Sequence, residues 1–542
     1  MQPEPAAASD QSSSPPHRIA RSAGAAGAAT LASRLLGLAR DQVLAALFGA
    51  GNQMDAFIIA FRIPNLVRDL FAEGAMSAAF VPTFTRHLTL HGKVDAWRLG
   101  RHVLTALILI TTAIVALGLV FTDPLVTLYA GGYAAVPGKL ELTILLTRMM
   151  LPFLTLAALA AALMGMLNSL HHYFVPALAP ATFNVATIGC ALLLVPLMPA
   201  VGLPPIAAIA IGAILGGLGQ VGVQWLPLRR EGFRYRPALN LGDPALRRVI
   251  LLMGPGTLGL AATQVNLFIN TLLATSQGTG AASWLTYAFR LMYLPLGLFG
   301  VSIATAVLPA AARHAALDDP KAIRSTLARG LTLMLVLNVP ATLGLLALAT
   351  PIVRLLFERG QFLPADTDAT AAALRLYAVG LVGYSTARIA SPVFYALGEN
   401  RLPVAMSLGS IAVNVVASLL LVNILGFRGL ALGASIAALT HGALAVLLLR
   451  RRVGGVDGGR LALTLAKVLA AATVMALVAV TTERWSVTVV SGQGALGQAV
   501  RLSAAIGAGL TALAASAKLV RIPEFDEALE LARDRARKWL SR

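Results

Sequence analysis

Charge is scarce in this sequence. Only 12% of its 542 residues are Asp, Glu, Lys or Arg, whereas a soluble domain carries about 25%. So little polar material cannot clothe soluble domains of this total length. Acids are scarcer than bases, 24 against 43, giving a formal net charge of +19. That balance does not point to nucleic acid, because the total charge is too low for an electrostatic footprint. Cysteine is limited to Cys190, which excludes a disulfide scaffold and any multi-cysteine metal site. No arrangement of serine, cysteine or carboxylates suggests hydrolysis, so the chain reads as a transporter rather than an enzyme. The glycine groups GAILGGLG (212–219) and GLALGAS (429–435) lack the Lys-Ser/Thr of a phosphate loop. They read as sites of close helix packing. His171 and His172 have no acid or cysteine nearby, so no metal and no cofactor are expected.

What is abundant is apolar: 57% of the chain. A membrane span needs about 20 mainly apolar residues. Fourteen segments qualify: 26–48, 54–74, 99–121, 142–168, 177–199, 203–226, 246–272, 283–309, 325–349, 371–397, 403–425, 430–449, 461–481 and 495–517. Loop charge tests the count, because cytoplasmic loops collect Lys and Arg. With the N-terminus inside, inner segments hold 27 basic residues and outer loops hold five: Lys139, Arg354, Arg359, Arg428 and Arg484. A miscount would scramble that alternation. Both termini are therefore expected in the cytoplasm.

The organisation expected is all-α and membrane-integral. Residues 1–25 form a Pro/Ser/Ala-rich disordered cytoplasmic tail, without the basic start and short apolar stretch of a signal peptide. An N-lobe (26–228, spans 1–6) is followed by a basic cytoplasmic linker (229–245) and a C-lobe (246–449, spans 7–12). Residues 450–520 carry spans 13 and 14, and 521–542 form a cytoplasmic C-terminal segment. The two lobes rest on an internal repeat at an offset of 228. Phe61-Arg62 matches Phe289-Arg290, Leu70-Phe71 matches Leu298-Phe299, and Val81-Pro82 matches Leu308-Pro309 one gap later. A weaker echo links Pro176 and Asn184 to Pro403 and Asn414. Both halves place an outside-to-inside helix second, so the repeat is parallel, and repeats of this kind mark transporters with a site between halves.

Charges inside the spans are the candidate site. Arg34, Arg40 and Asp41 lie in span 1. Asp55, Arg62, Arg68, Asp69 and Glu73 lie in span 2, Arg148 in span 4 and Arg290 in span 8. A charge at the bilayer centre costs at least ~2.5 kcal/mol, so these residues need partners or a wet cavity. Arg34 and Asp41 are seven apart and share a helical face. Arg40 points about 120° away unless the helix breaks at Gly37. Pro64 removes a backbone bond and permits a kink, so Gly37 and Pro64 are hinge candidates. Arg148 and Arg290 have no acid close in sequence. A cavity lined this way is net positive and suits phosphate oxygens, which match the rigid donor fork of Arg. The structural alternative is that Arg–Asp pairs lock helices together. With no nucleotide site, uphill work must use membrane potential, an ion gradient or another protein.

Residues 32–84, ASRLLGLARDQVLAALFGAGNQMDAFIIAFRIPNLVRDLFAEGAMSAAFVPTF, closely resemble the opening of the MurJ/MviN family. That family belongs to the multidrug/oligosaccharidyl-lipid/polysaccharide exporters. Further matches are MLPFLTLAALAAALMGMLNSLHHYFVPALAPATFNV (150–185), SWLTYAFRLMYLPLGLFGVSIATAVLP (283–309) and LLFERGQF (355–362). The resemblance runs from roughly 26 to 520. It implies a flippase of the bacterial inner membrane, moving lipid II, the undecaprenyl-diphosphate-linked peptidoglycan precursor, to the outer leaflet by alternating access. It implies Arg34, Arg40, Arg68 and Arg290 as headgroup or diphosphate ligands. Asp41, Asp55, Arg62, Asp69, Glu73 and Arg148 would be supporting or gating charges, and spans 13–14 a groove for the lipid tail. The implied partners are lipid II, membrane lipids and cell-wall synthesis proteins, for a monomeric chain. The span 8 motif departs from relatives with carboxylates around the arginine: it reads YAFRLMYLP, with Phe289 and Tyr293 at those places. The rival readings are a related polysaccharide-lipid flippase, a drug or cation antiporter of the same superfamily, which would need dominant buried acids, and a non-transporting scaffold.

Overall fold

The computed structural model describes residues 16–69, 79–399, 401–455, 457–490, 492 and 494–525. Helices α1 (Pro16–Phe48), α2 (Asn52–Asp69), α3 (Val81–Val120), α4 (Thr122–Ala130), α5 (Lys139–Met150), α6 (Phe153–Ser169), α7 (Phe174–Leu194), α8 (Ala207–Arg230) and α9 (Pro244–Thr275) come first. They are followed by α10 (Ala281–Pro295), α11 (Val301–Ala316), α12 (Pro320–Phe357), α13 (Pro364–Val379), α14 (Leu381–Ala396), α15 (Arg401–Leu425), α16 (Phe427–Arg452), α17 (Gly458–Val489) and α18 (Ala495–Leu519). The described residues contain no strand. Hydrocarbon offers no partner to a backbone N–H or C=O, so a spanning chain satisfies these groups within helices.

Among the described residues, eight helices are long and apolar enough to cross a bilayer: α3, α7, α8, α12 and α15 to α18. The pair α5–α6 supplies a ninth crossing, bent by 40°. The expected span 142–168 is thus broken, and the break falls at Leu151-Pro152, where Pro152 precedes the first residue of α6. The remaining five expected spans map onto α1, α2, α9 and the interrupted stretches α10–α11 and α13–α14. A π-helical turn at Leu296–Gly300 joins α10 to α11. Helix α1 begins at Pro16, inside the stretch expected as a tail.

Two compact units emerge: residues 1–43, 60–122 and 145–258, and residues 44–59, 123–144 and 259–542. This division differs from one at the 229–245 linker, because two short segments of the first half belong with the second. In the first unit α7 packs on α8, α3 on α6, and α6 on α8. Its core holds an aromatic chain, Phe80–Phe84–Trp97–Phe233, with centroid spacings of 5.4, 5.9 and 5.2 Å. The glycines of 212–219 act as expected. A Cβ on Gly216 would sit 2.8 Å from the Phe183 Cα, and one on Gly212 would sit 3.0 Å from the Thr187 Cα.

In the second unit α12 packs against α11, α13, α14 and α17. Leu331, Leu335, Val339, Ile389, Phe394 and Met475 fill that core. Helices α17 and α18 form a hairpin, α15 packs on α16, and α14 lies on α16. The approach of α14 to α16 is closest at Gly383, where a Cβ would fall 2.5 Å from the Ala438 carbonyl. Backbone cannot retreat as a side chain can. Gly383→Ala is therefore expected to lower stability by about 1–3 kcal/mol, the usual range for overpacking. Thermal unfolding in detergent measures it, and an unchanged midpoint would refute the close approach.

The echoed asparagines have matching roles. In the first unit Asn184 of α7 donates to the Ser33 carbonyl of α1 at 3.1 Å. In the second, Asn270 of α9 donates to Oδ1 of Asn414 in α15 at 2.8 Å. Each ties the fifth expected span of its half to the first.

Candidate functional site

The first unit carries the arginines of α1 and α2. Helix α1 runs unbroken through Gly37, and the absent side chain leaves room for Asn184, whose Nδ2 would lie 3.6 Å from a Cβ there. The Asp41 carboxylate is buried and accepts from Nε and Nη2 of its neighbour Arg40 at 3.2 and 2.9 Å. Although Arg40 points about 120° from the face shared by Arg34 and Asp41, its flexible side chain bends back to its neighbour. The Arg40 guanidinium also lies 5.6 Å from the centroid of Phe183. Phe183 is stacked on Phe61 at 5.6 Å and tilted against Phe153 at 5.5 Å. Gly216 backs that ring, so small residues on α8 set the position of a cation on α1. Arg34 is exposed. On α2, Arg62 is half-buried, and Arg68 donates to Asp69 at 3.1 and 2.7 Å in a partly exposed pair. Pro64 sits within α2. Arg148 is exposed near the α5–α6 bend. Glu73 lies outside the described residues.

The second unit contains a buried polar knot at the end of α2 that the charge pattern assigns to the outside. Asp55 is fully buried. Its Oδ2 accepts from Lys139 Nζ at 2.8 Å and from the Gly280 N–H at 2.7 Å. Its Oδ1 accepts from the Ser283 hydroxyl at 2.7 Å and the Ser283 N–H at 3.0 Å. Asp55 therefore caps the N-terminus of α10, where free N–H groups and the helix dipole favour an anion. Lys139, expected in an outer loop, is buried and lies 4.1 Å above the Tyr133 ring. Nearby, the Gln361 N–H donates to the Ala46 carbonyl at 2.9 Å. Gly360 adopts φ +57 there, and a Cβ on it would collide with that same oxygen. Further along α10, Arg290 is exposed. Tyr293 receives a hydrogen bond from Arg388 of α14 at 3.1 Å.

A second set of charges lies on loops expected inside. Glu231 accepts from Lys93 at 2.8 Å and pairs with His172 at 3.0 Å. His102 meets Asp243 at 3.0 Å. His87, His91 and Asp95 lie close enough that each could offer an atom to one metal ion. Asp95, however, is already held by His87 and Arg98, so the group reads as an ion-pair network. Bonds from Lys93 and His172 keep the Glu231 carboxyl below its ordinary range. A depressed carboxyl contributes stability above its unfolded pKa and loses it as pH falls through the folded value. Glu231→Gln should therefore lower the melting temperature at neutral pH and make no difference once acid has protonated the native group. Melting curves at both pH values check this, and an equal deficit at both would exclude the ion pairs as its source.

The matching family model is described as lipid II flippase MurJ and covers residues 44–499. The chain belongs to the MurJ family. It is 35% identical over 437 residues to a probable lipid II flippase MurJ of Vibrio cholerae, covering 79% of this chain and 82% of that one. It is 34% identical over 427 residues to the lipid II flippase MurJ of Burkholderia cenocepacia, covering 78% and 82%. Among solved structures, lipid II flippase MurJ in an inward closed conformation matches with a TM-score of 0.74 and 25% identity, covering 92% of this chain and 99% of that one. An inward-facing MATE-family multidrug transporter shares the fold at a TM-score of 0.67 and 15% identity, over 79% and 96%. The all-α, multi-pass membrane architecture of the MurJ family is thus the architecture of this chain.

Within that fold, Arg40 with Asp41 and Arg68 with Asp69 come together as pairs. Arg290 lies on α10, whose N-terminus Asp55 of α2 caps. Residues that sequence reasoning did not assign to the site are Lys139, Ser283, Phe183 and Arg388. Each acts through a partner at least 95 residues away or, for Lys139, 84, and only the lone outer-loop lysine stood out by type.

Proposed function

We propose that this chain is a flippase that carries lipid II across the bacterial inner membrane. It does so as a transporter, without covalent chemistry. The observation that carries the reading is the family match over 44–499, joined to arginines within the expected spans that keep solvent-accessible surface: Arg34 and Arg290 exposed, Arg40 and Arg68 partly so. A guanidinium facing hydrocarbon is costly, so accessible arginines in spanning helices suit a wet surface that can receive an anion. A diphosphate supplies that anion, and the Arg fork fits its oxygens. A cation antiporter would need acids instead, and the acids here are engaged: Asp41 by Arg40, Asp69 by Arg68, and Asp55 by Lys139.

In this reading Arg34, Arg40, Arg68 and Arg290 grip the headgroup while Arg62 and Arg148 support it. The tail stays in lipid or against the α17–α18 hairpin. Dragging a large polar headgroup through hydrocarbon unaided would cost many kcal/mol. Asp55 and Lys139 close the outer end, Pro64 and Gly37 offer points of bending, and Glu73 adds an acid near the inner end of span 2. Both termini lie in the cytoplasm, the chain acts as a monomer, and cell-wall synthesis proteins are its partners. Membrane potential, worth ~2.3 kcal/mol per charge per 100 mV, can bias such a cycle. The test is reconstitution in vesicles with labelled lipid II. Flipping faster than in protein-free vesicles is the expected result, and its absence would leave the scaffold reading standing.

A further inference from the structure

Phe289 and Tyr293 lie four residues apart on α10, so they share one helical face. They are large aromatic side chains, yet 38% and 39% exposed. Their rings face each other at 5.9 Å with an interplanar angle of 34°. Tyr377, itself buried, braces Phe289 edge-on at 5.4 Å and 74°. Tyr293 holds Arg388 twice: its hydroxyl accepts from Nη2 at 3.1 Å, and its ring centroid lies 5.8 Å from the guanidinium carbon. Arg290 is exposed one residue on from Phe289.

These neighbours decide which medium the rings meet. Arg290 lies within 60° of Tyr293 around the helix, and Arg388 touches it. Two guanidinia beside one ring in a spanning segment disfavour a lipid-facing surface there. Exposed aromatic surface is ordinary toward lipid, but on a wet face it is left without an apolar partner. A pyranose ring answers both needs. Its C–H bonds carry partial positive charge toward the negative π face, and its hydroxyls stay in water.

We propose that Phe289 and Tyr293 form a stacking platform for the sugar rings of a lipid-linked saccharide, with Arg388 fixed by Tyr293 as a further cation for the adjoining diphosphate. This rests on the reading of the chain as a flippase for lipid II, and it assigns that substrate's sugar to particular side chains. The platform is rigid because Tyr377 braces one ring and Arg388 the other. A rigid, preorganised surface binds with little loss of side-chain freedom.

The test measures binding to the full chain in nanodiscs. Three probes are compared: undecaprenyl diphosphate carrying the disaccharide-pentapeptide, the same lipid carrying one sugar with its peptide, and bare undecaprenyl diphosphate. The native chain should prefer the disaccharide lipid over the bare one by about tenfold, the effect of 1.4 kcal/mol. The variant Phe289→Leu/Tyr293→Leu should lose that preference. Tyr293→Phe keeps the ring and removes the hydroxyl, so it should retain the preference while weakening all three probes. Arg388→Gln should weaken all three alike. If the double variant does not fold, Phe289→Leu alone should show a partial loss of preference. A double variant that keeps the preference overturns the platform, as does a native chain that binds all three lipids equally. A native chain that binds none of them overturns the lipid reading itself.

Discussion

Replacing Asp55 by alanine should cost about 3–5 kcal/mol of stability, the usual penalty for removing one member of a buried ion pair. The cause is what stays behind. Lys139 would keep its charge while 2% exposed, and the Gly280 and Ser283 N–H groups would lose their acceptor. Lys139→Met should cost less, because Asp55 retains three donors at the α10 N-terminus. The pair Asp55→Ala/Lys139→Met should fall short of the sum of the two single changes, since no buried charge remains. Equilibrium or thermal unfolding of the four proteins gives that cycle. Strict additivity would mean that the two groups do not interact.

The same substitution tests the outer closure. If Asp55 holds the outer end shut, its loss should expose the segment that it caps. Cysteine placed at the buried Ala282 of that segment should then be labelled from outside faster in Asp55→Ala than in the native background. The sole native cysteine, Cys190, is buried, so background labelling is small. Equal rates would show that the knot supports the fold without gating it.

The knot also marks where sequence reading stops. Asp55 was legible as a charge at the outer end of span 2, because an acid beside an apolar run is conspicuous. Its partner was not, since nothing local joins Asp55 to a lysine 84 residues on. Loop charge placed Lys139 outside, which is a statement about depth and not about burial. The multi-pass helical architecture was legible because hydrocarbon enforces long apolar runs whatever the packing. The glycine groups were legible for a similar reason: small residues in apolar helices have few other uses. The direction of a long side chain is different. Asp41 is one face away from Arg40 by helical geometry, yet four methylene-scale torsions let the guanidinium reach it. The bend after α5 was not legible: Pro152 sits inside the expected span 142–168, and a proline permits a break without requiring one. Phe183 read as one more apolar residue, and only its stack with Phe61 under Arg40 gives it a task.

Arg40→Ala and Arg290→Ala should each slow lipid II flipping by roughly 10- to 100-fold, if each guanidinium contributes about 1.5–3 kcal/mol through charged hydrogen bonds to the diphosphate. Unfolding should change little by comparison for Arg290, which is exposed. Arg40→Ala has a second consequence, because it leaves the buried Asp41 carboxylate without that guanidinium. Arg40→Lys separates the two roles. Lysine restores a charge for Asp41 but not the planar fork, so stability should recover further than flipping. Phe183→Leu should also lower flipping, here with every charge kept and Arg40 no longer held against a ring. Flipping should then drop while Arg40 remains, which a purely electrostatic role could not explain. Flipping at native rates by folded Arg40→Ala and Arg290→Ala proteins would remove both arginines from the site.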